Sequence, residues 1–249
     1  MAKSLNSILK AICANSLGEL LLADGFEESP AKIRNSILTA QYHQLAVDRL
    51  CVVDVQRDKS WTNGKGRFCV NLCIYFPEVG DFSGMDAMAA MSNSAYFRIH
   101  ERLGQLAAGS DYWWELKRGW FFSESREVDR ISSDLRQKWL SFGRPWIESI
   151  SDLRAARDRL AMGWSKGMAI RMSLALGEIR EARELMIDLL CLRYRPPEDV
   201  LAKYEKWRLI SSTEATALQR LLMQREDVLQ NGLKELFGRS QPRHTPIGH

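Results

Sequence analysis

The sequence predicts an α+β fold: an N-terminal antiparallel sheet with flanking helices, followed by an all-helical C-terminal region. Three patterns carry that prediction. Phe68, Val70, Leu72, Ile74 and Phe76 alternate with Arg67, Cys69, Asn71, Cys73 and Tyr75, the period of a strand with one apolar and one mixed face. Leu5, Leu9, Ile12, Cys13, Leu17, Leu20 and Leu21 recur at three- and four-residue spacing, the period of an amphipathic helix. From Gly163 onward apolar residues recur only at helical spacing.

The first helix stops at Asp24-Gly25, a turn that suits a helix C-terminus. Pro30 breaks any continuation, and a strand is expected near Ala40 to Leu45. Asp48-Arg49 turns the chain into the stretch Leu50 to Gln56. There Cys51, Val53 and Val55 share one face, and Leu50, Val52, Asp54 and Gln56 share the other. Its β-branched content favours a strand. Asn63-Gly64 is the expected turn into the Phe68 strand, which Pro77 ends. These elements give a three-stranded antiparallel meander.

Beyond the meander, Met85, Met88 and Met91 predict a short helix on the sheet, not a thioether metal site. Phe97, Ile99 and Leu103 fit a strand in part. Val128, Ile131, Leu135, Trp139 and Phe142 predict a helix that Gly143-Arg144-Pro145 breaks. Trp146, Ile150, Leu153 and Leu160 begin another, with Arg154, Arg157 and Arg159 facing Asp152 and Asp158 on its polar side. Two later stripes run through Ala169, Met172, Leu176 and Ile179, and through Ala182, Leu185, Met186, Leu189 and Leu190. They join at Gly177. The run AIRMSLALGEIREARELM resembles one unit of a tetratricopeptide-type repeat, although one copy is not an array. Pro196-Pro197 ends that block, and Val200, Leu201, Tyr204 and Trp207 point inward after it. Thr213 is the expected cap of a last helix with a stripe from Leu218 to Phe237. The expected units are residues 1–162, residues 163–239, and a disordered polar tail at 240–249.

Composition narrows the function classes. The chain has 249 residues, 27% charged and 45% hydrophobic, an ordinary globular mixture. No apolar run reaches the ~18 residues of a membrane span. Asn6, Ser7, Asn15 and Ser16 interrupt the apolar core that a signal peptide needs. Five cysteines without a compact framework suit a reducing cytoplasm. A net charge of +4 without a basic stripe does not describe a dedicated nucleic-acid binder. The sequence has no phosphate-binding glycine loop, no His-Glu-x-x-His and no Gly-x-Ser-x-Gly. Only His43 and His100 lie in the expected fold, so Ser-His-Asp chemistry is poorly supplied. No cofactor and no metal is expected.

Two sets of residues stand out. If the strands pair in register, Asp54, Gln56, Asn71 and Tyr75 gather on the mixed face as a polar groove. The segment DYWWELKRGWFF concentrates aromatic residues. On an extended chain Trp113 and Trp114 point to opposite faces, so one is core and the other is available to a partner.

The segments VVDVQRDKSW, RFCVNLCIYF, RLGQL, DYWWEL and GRPWIESI follow one another in this order. Together they resemble a widespread bacterial domain-of-unknown-function family. Its members share an N-terminal helix, a strand ending near Gln-x-x-x-Ser, a Phe-x-Val-Asn-Leu strand, a paired-Trp motif and a late Gly-x-Pro-Trp. The resemblance runs from about Leu5 to Leu160 and excludes the helical region. It implies a bacterial, cytoplasmic α+β domain and supplies no catalytic residues.

Three functions compete. The leading one is a non-enzymatic protein-interaction module, such as an accessory or immunity protein of a bacterial conflict system, with another protein as partner. The second is a metal-dependent nuclease or phosphodiesterase. The candidates are Asp54, Gln56, Asp58 and Lys59: the carboxylates would hold the cation, and Lys59 would stabilise charge on a phosphoryl oxygen. Asp58-Lys59 lacks the acid-x-Lys spacing such sites use. The third is a nucleic-acid-binding scaffold using Lys59, Trp61, Lys65 and Arg67.

Overall fold

The computed structural model describes residues 4–30, 38–62, 65–79, 99–117, 124–162, 166–191, 198–222, 224 and 226–238. The fold is α+β, with the sheet in the N-terminal half and helices in the C-terminal half. The chain divides into two compact units, Met1–Asp152 and Leu153–His249. The helix Leu153–Ala161 therefore groups with the second unit, whereas the sequence-based boundary lies at 162. Several expectations fall outside the described residues: the Asn63-Gly64 turn, the Met85–Met91 helix, Trp120, Phe121, Phe122, Pro196-Pro197 and the 240–249 tail.

In the first unit, α1 (Leu5–Cys13) begins at Ser4, whose Oγ accepts the Ser7 amide hydrogen at 3.2 Å. That bond satisfies one of the free donors of the first turn. A π-helical turn (Ala14–Gly18) carries the helix into α2 (Glu19–Ala23). Gly25 ends it at φ +83°. The Phe26 amide donates to Leu21 O at 2.9 Å and the Gly25 amide to Leu22 O at 3.1 Å, a left-handed cap that glycine adopts without strain.

Six strands follow: β1 (Glu27–Glu28), β2 (Leu38–Leu45), β3 (Leu50–Arg57), β4 (Lys65–Tyr75), β5 (Ile99–Arg102) and β6 (Trp114–Lys117). The path is β1-β2-β3-β4-β5, all antiparallel, and β6 pairs with β4 as well. The expected meander is β2-β3-β4, and the turn after β2 closes through Ala46 N–H to Arg49 O at 2.9 Å. β5 pairs with Asn71–Ile74 and β6 with Lys65–Phe68, so the two occupy successive lengths of one β4 edge. α3 (Leu103–Ala108) lies between them in sequence. A Cβ on Gly104 would stand 2.6 Å from Tyr112 O, so only glycine lets α3 approach the start of β6 this closely.

One sheet face is largely apolar, although Arg57 and Glu101 also extend from it, opposite Phe68 and Leu72. Val53, Val55, Phe68, Val70, Leu72, Ile74, Tyr42, Trp114 and Leu116 are all buried on it. Helices cover this face. A Cβ on Gly18 would lie 2.7 Å from the Tyr42 hydroxyl, and Trp114 Nε1 donates to Asp134 of α4 (Glu124–Lys138) at 2.7 Å.

Gly143-Arg144-Pro145 does not break the helix as expected. The chain passes from α4 through a second π-helical turn (Trp139–Gly143) into α5 (Arg144–Ser149). Pro145 sits in the first turn of α5, where a missing N–H costs little. Asp24 holds this junction. Its carboxylate accepts Trp139 Nε1–H at 2.8 Å and two Arg144 hydrogens at 2.9 and 2.6 Å.

The second unit contains α6 (Leu153–Ala161), α7 (Lys166–Ala175), α8 (Ile179–Cys191), α9 (Glu198–Lys206), α10 (Ser212–Leu222) and α11 (Glu226–Phe237). α7 and α8 form the helix-turn-helix that the sequence suggests, with Gly177 at φ +73°. Glu178 at the turn pairs with both Arg154 and Arg157 of α6. Ile170, Met186, Leu190, Leu201, Tyr204, Leu218 and Leu233 form the core. The expected single last helix is two, α10 and α11. Its cap is Ser211, not Thr213. The Glu214 amide donates to Ser211 Oγ at 3.2 Å and the Ser211 amide to Glu214 Oε2 at 2.8 Å. This reciprocal pair needs an acid three residues after the serine, and Ser211-x-x-Glu214 has that spacing.

Arg183 of α8 donates to Glu214 Oε1 at 2.6 Å and to Leu209 O. The Arg183 hydrogen bond, with those from Ser211, holds the Glu214 carboxyl down to about 2 from an ordinary 4.5. A depressed acid stabilises the fold above its unfolded pKa and loses that contribution as pH falls through the folded one. Amide exchange protection in α8 and α10, corrected for intrinsic rates, should hold steady above pH 4.5 and fall as the pH drops toward about 2. Glu214→Gln should lower protection at neutral pH and flatten that fall. An unchanged profile in the variant would remove Glu214 from this role.

Candidate functional site

The second face of the sheet is mixed, and its centre is a row of polar side chains. Register places Gln41 of β2, Asp54 of β3, Asn71 of β4 and Arg102 of β5 directly side by side. Gln41 and Asp54 are fully buried. One Asn71 amide nitrogen donates to Asp54 Oδ1 at 2.6 Å and to Gln56 Oε1 at 2.9 Å. Cys69 Sγ donates to Asn71 Oδ1 at 3.6 Å. A carboxylate in this position requires such a donor, because burying an ion without hydrogen bonds is costly. The structure thus brings Asp54, Gln56 and Asn71 into contact. Tyr75 shares their face but lies opposite Leu50, about 13 Å along the strand from Asn71. It is buried as well, with Leu50, Val52 and Cys73 buried around it. Gln41, Asp54 and Tyr75 are buried, and Gln56, Asn71 and Arg102 are half-buried.

The two tryptophans separate as strand alternation requires. Trp114 is core. It stacks on Phe68 with centroids 5.6 Å apart, meets Tyr112 edge-on at 5.2 Å and donates to Asp134. Lys138, paired with the same Asp134, lies 5.7 Å from its ring. Trp113 is half-buried on the mixed face. Extending the β4–β6 register sets it level with Cys69, between Arg67 and the row that ends in Arg102. Both guanidiniums lie over its ring, at 5.0 and 4.9 Å. Asp111 joins them, accepting Arg102 Nη1–H at 2.6 Å and Trp113 Nε1–H at 3.1 Å. Arg67 pairs with Asp58, and Lys117 pairs with Glu115. Arg67 is in sequence a neighbour of the alternating strand, so its face was readable. Arg102 and Asp111 reach Trp113 only through β5 and α3, elements too short to show a period.

The chemistry of these groups is quiet. Burial pushes the Cys69 thiol up to about 12, the Cys51 thiol to about 11 and Cys73 well above the ordinary range. These thiols are neutral and weakly nucleophilic. Arg67 and the Ser60 amide hold the Asp58 carboxyl below its usual range, and Ser60 N–H donates to Asp58 Oδ1 at 3.2 Å, the pattern of a turn. Asp54 lies within β3 and Asp58 just past its end, about 13 Å further along the chain direction, too far to share one cation. Among the described residues no three His, Cys, Asp or Glu side chains form a metal-binding group. Trp61 lies over Gly66, whose Cβ direction is that of Leu116 on the helix-covered face. It is therefore across the sheet from Lys65 and Arg67. No helix among the described residues is long and apolar enough to cross a membrane.

Comparison with family models, with curated proteins and with solved structures finds no match to this chain.

The two tryptophans should respond differently to truncation. Trp114→Ala removes a fully buried ring and strips Asp134 of its indole donor. It should destabilise the first unit by about 3–5 kcal/mol. Trp113→Ala loses two cation–π contacts at a partly exposed site and should cost only about 1–2 kcal/mol. Urea unfolding checks both, and equal losses would mean that Trp113 is core.

Proposed function

We propose that this chain is a non-enzymatic protein-interaction module whose binding surface centres on Trp113. The observation that carries the reading is the cluster of Trp113, Arg67, Arg102 and Asp111 on the mixed sheet face. Tryptophan and arginine are the residues most enriched at the energetic centres of protein interfaces. Here the indole is fixed before any partner arrives, because two guanidiniums and one carboxylate already orient it. A pre-ordered anchor loses little side-chain entropy on binding.

Two rival readings draw less support from the same residues. The acids assigned to a metal-dependent nuclease are separately engaged, Asp54 by Asn71 and Asp58 by Arg67. The residues assigned to a nucleic-acid scaffold are divided, with Trp61 across the sheet from Lys65 and Arg67. Arg67, Arg102 and Lys117 each meet a carboxylate. Such a surface alternates in sign, whereas a phosphate backbone is met by a continuous basic strip. An accessory or immunity role in a bacterial conflict system is the biological form that best suits such a module.

Affinity purification of the tagged full-length chain from its host is the test. The expected result is one stoichiometric co-eluting protein, lost in Trp113→Ala while the circular dichroism spectrum is unchanged. A partner retained by that variant, or nucleic acid in its place, contradicts the reading.

A further inference from the structure

No further inference is drawn: the strongest candidate, the cleft of about 370 Å³ between α6 and α8 lined by Arg157, Asp158, Arg180, Glu181 and Glu184, is a cluster of opposed charges in which Arg157 is already paired with Asp158 and Glu178, and no second feature among the described residues points to a ligand there.

Discussion

Everything in the first unit depends on one strand having two different faces. β4 is eleven residues long and pairs with β3 on one side and with β5 and β6 on the other. Its even-numbered residues from Phe68 to Ile74 are fully buried and apolar. They fix which face the helices cover. Its odd-numbered residues, Lys65, Arg67, Cys69 and Asn71, then have no choice but to define the other face. A slip of one residue would exchange the two sets and drive Arg67 and Asn71 into the helical layer. The hydrogen bonds from Asn71 to Asp54 and Gln56 reinforce that register from the polar side.

That dependence explains what the sequence could reveal. β3 and β4 were legible because each is long enough to show alternation twice over, and the division of Trp113 from Trp114 followed from the same rule. β5 and β6 were not, because a four-residue strand carries too few residues to distinguish a period of two from chance. The cluster around Trp113 was lost with them, since Arg102 and Asp111 come from that region. The π-helical turn at Trp139–Gly143 was hidden for another reason. Gly-Arg-Pro is a breaker signal, yet Pro145 falls in the first turn of α5, and Trp139 and Arg144 both donate to Asp24 at this junction. Ser211 was missed although its signal was present: the acid three residues on marks it, and Thr213 lacks one.

The physical state of the polar groups shapes the functional reading. Asp54 is the acid a catalytic hypothesis would choose, yet it is buried and bonded to an amide that also holds Gln56. The cysteines near it are kept neutral by burial. What reaches the surface is an indole with two guanidiniums over its ring and acids of the same chain beside them. Such a cluster stabilises the sheet edge on which it sits. It also presents a rigid mixed-charge surface, and the second role requires no rearrangement of the first.

The central claim is that the Trp113 face meets another protein. A photo-cross-linking amino acid placed at position 113 of the full-length chain, irradiated in living cells, tests it most directly. Position 148 on α5, where Glu148 is exposed, serves as the comparison. The account predicts a single protein adduct from position 113 and none from 148. No adduct at 113, or the same adducts from both positions, would contradict it.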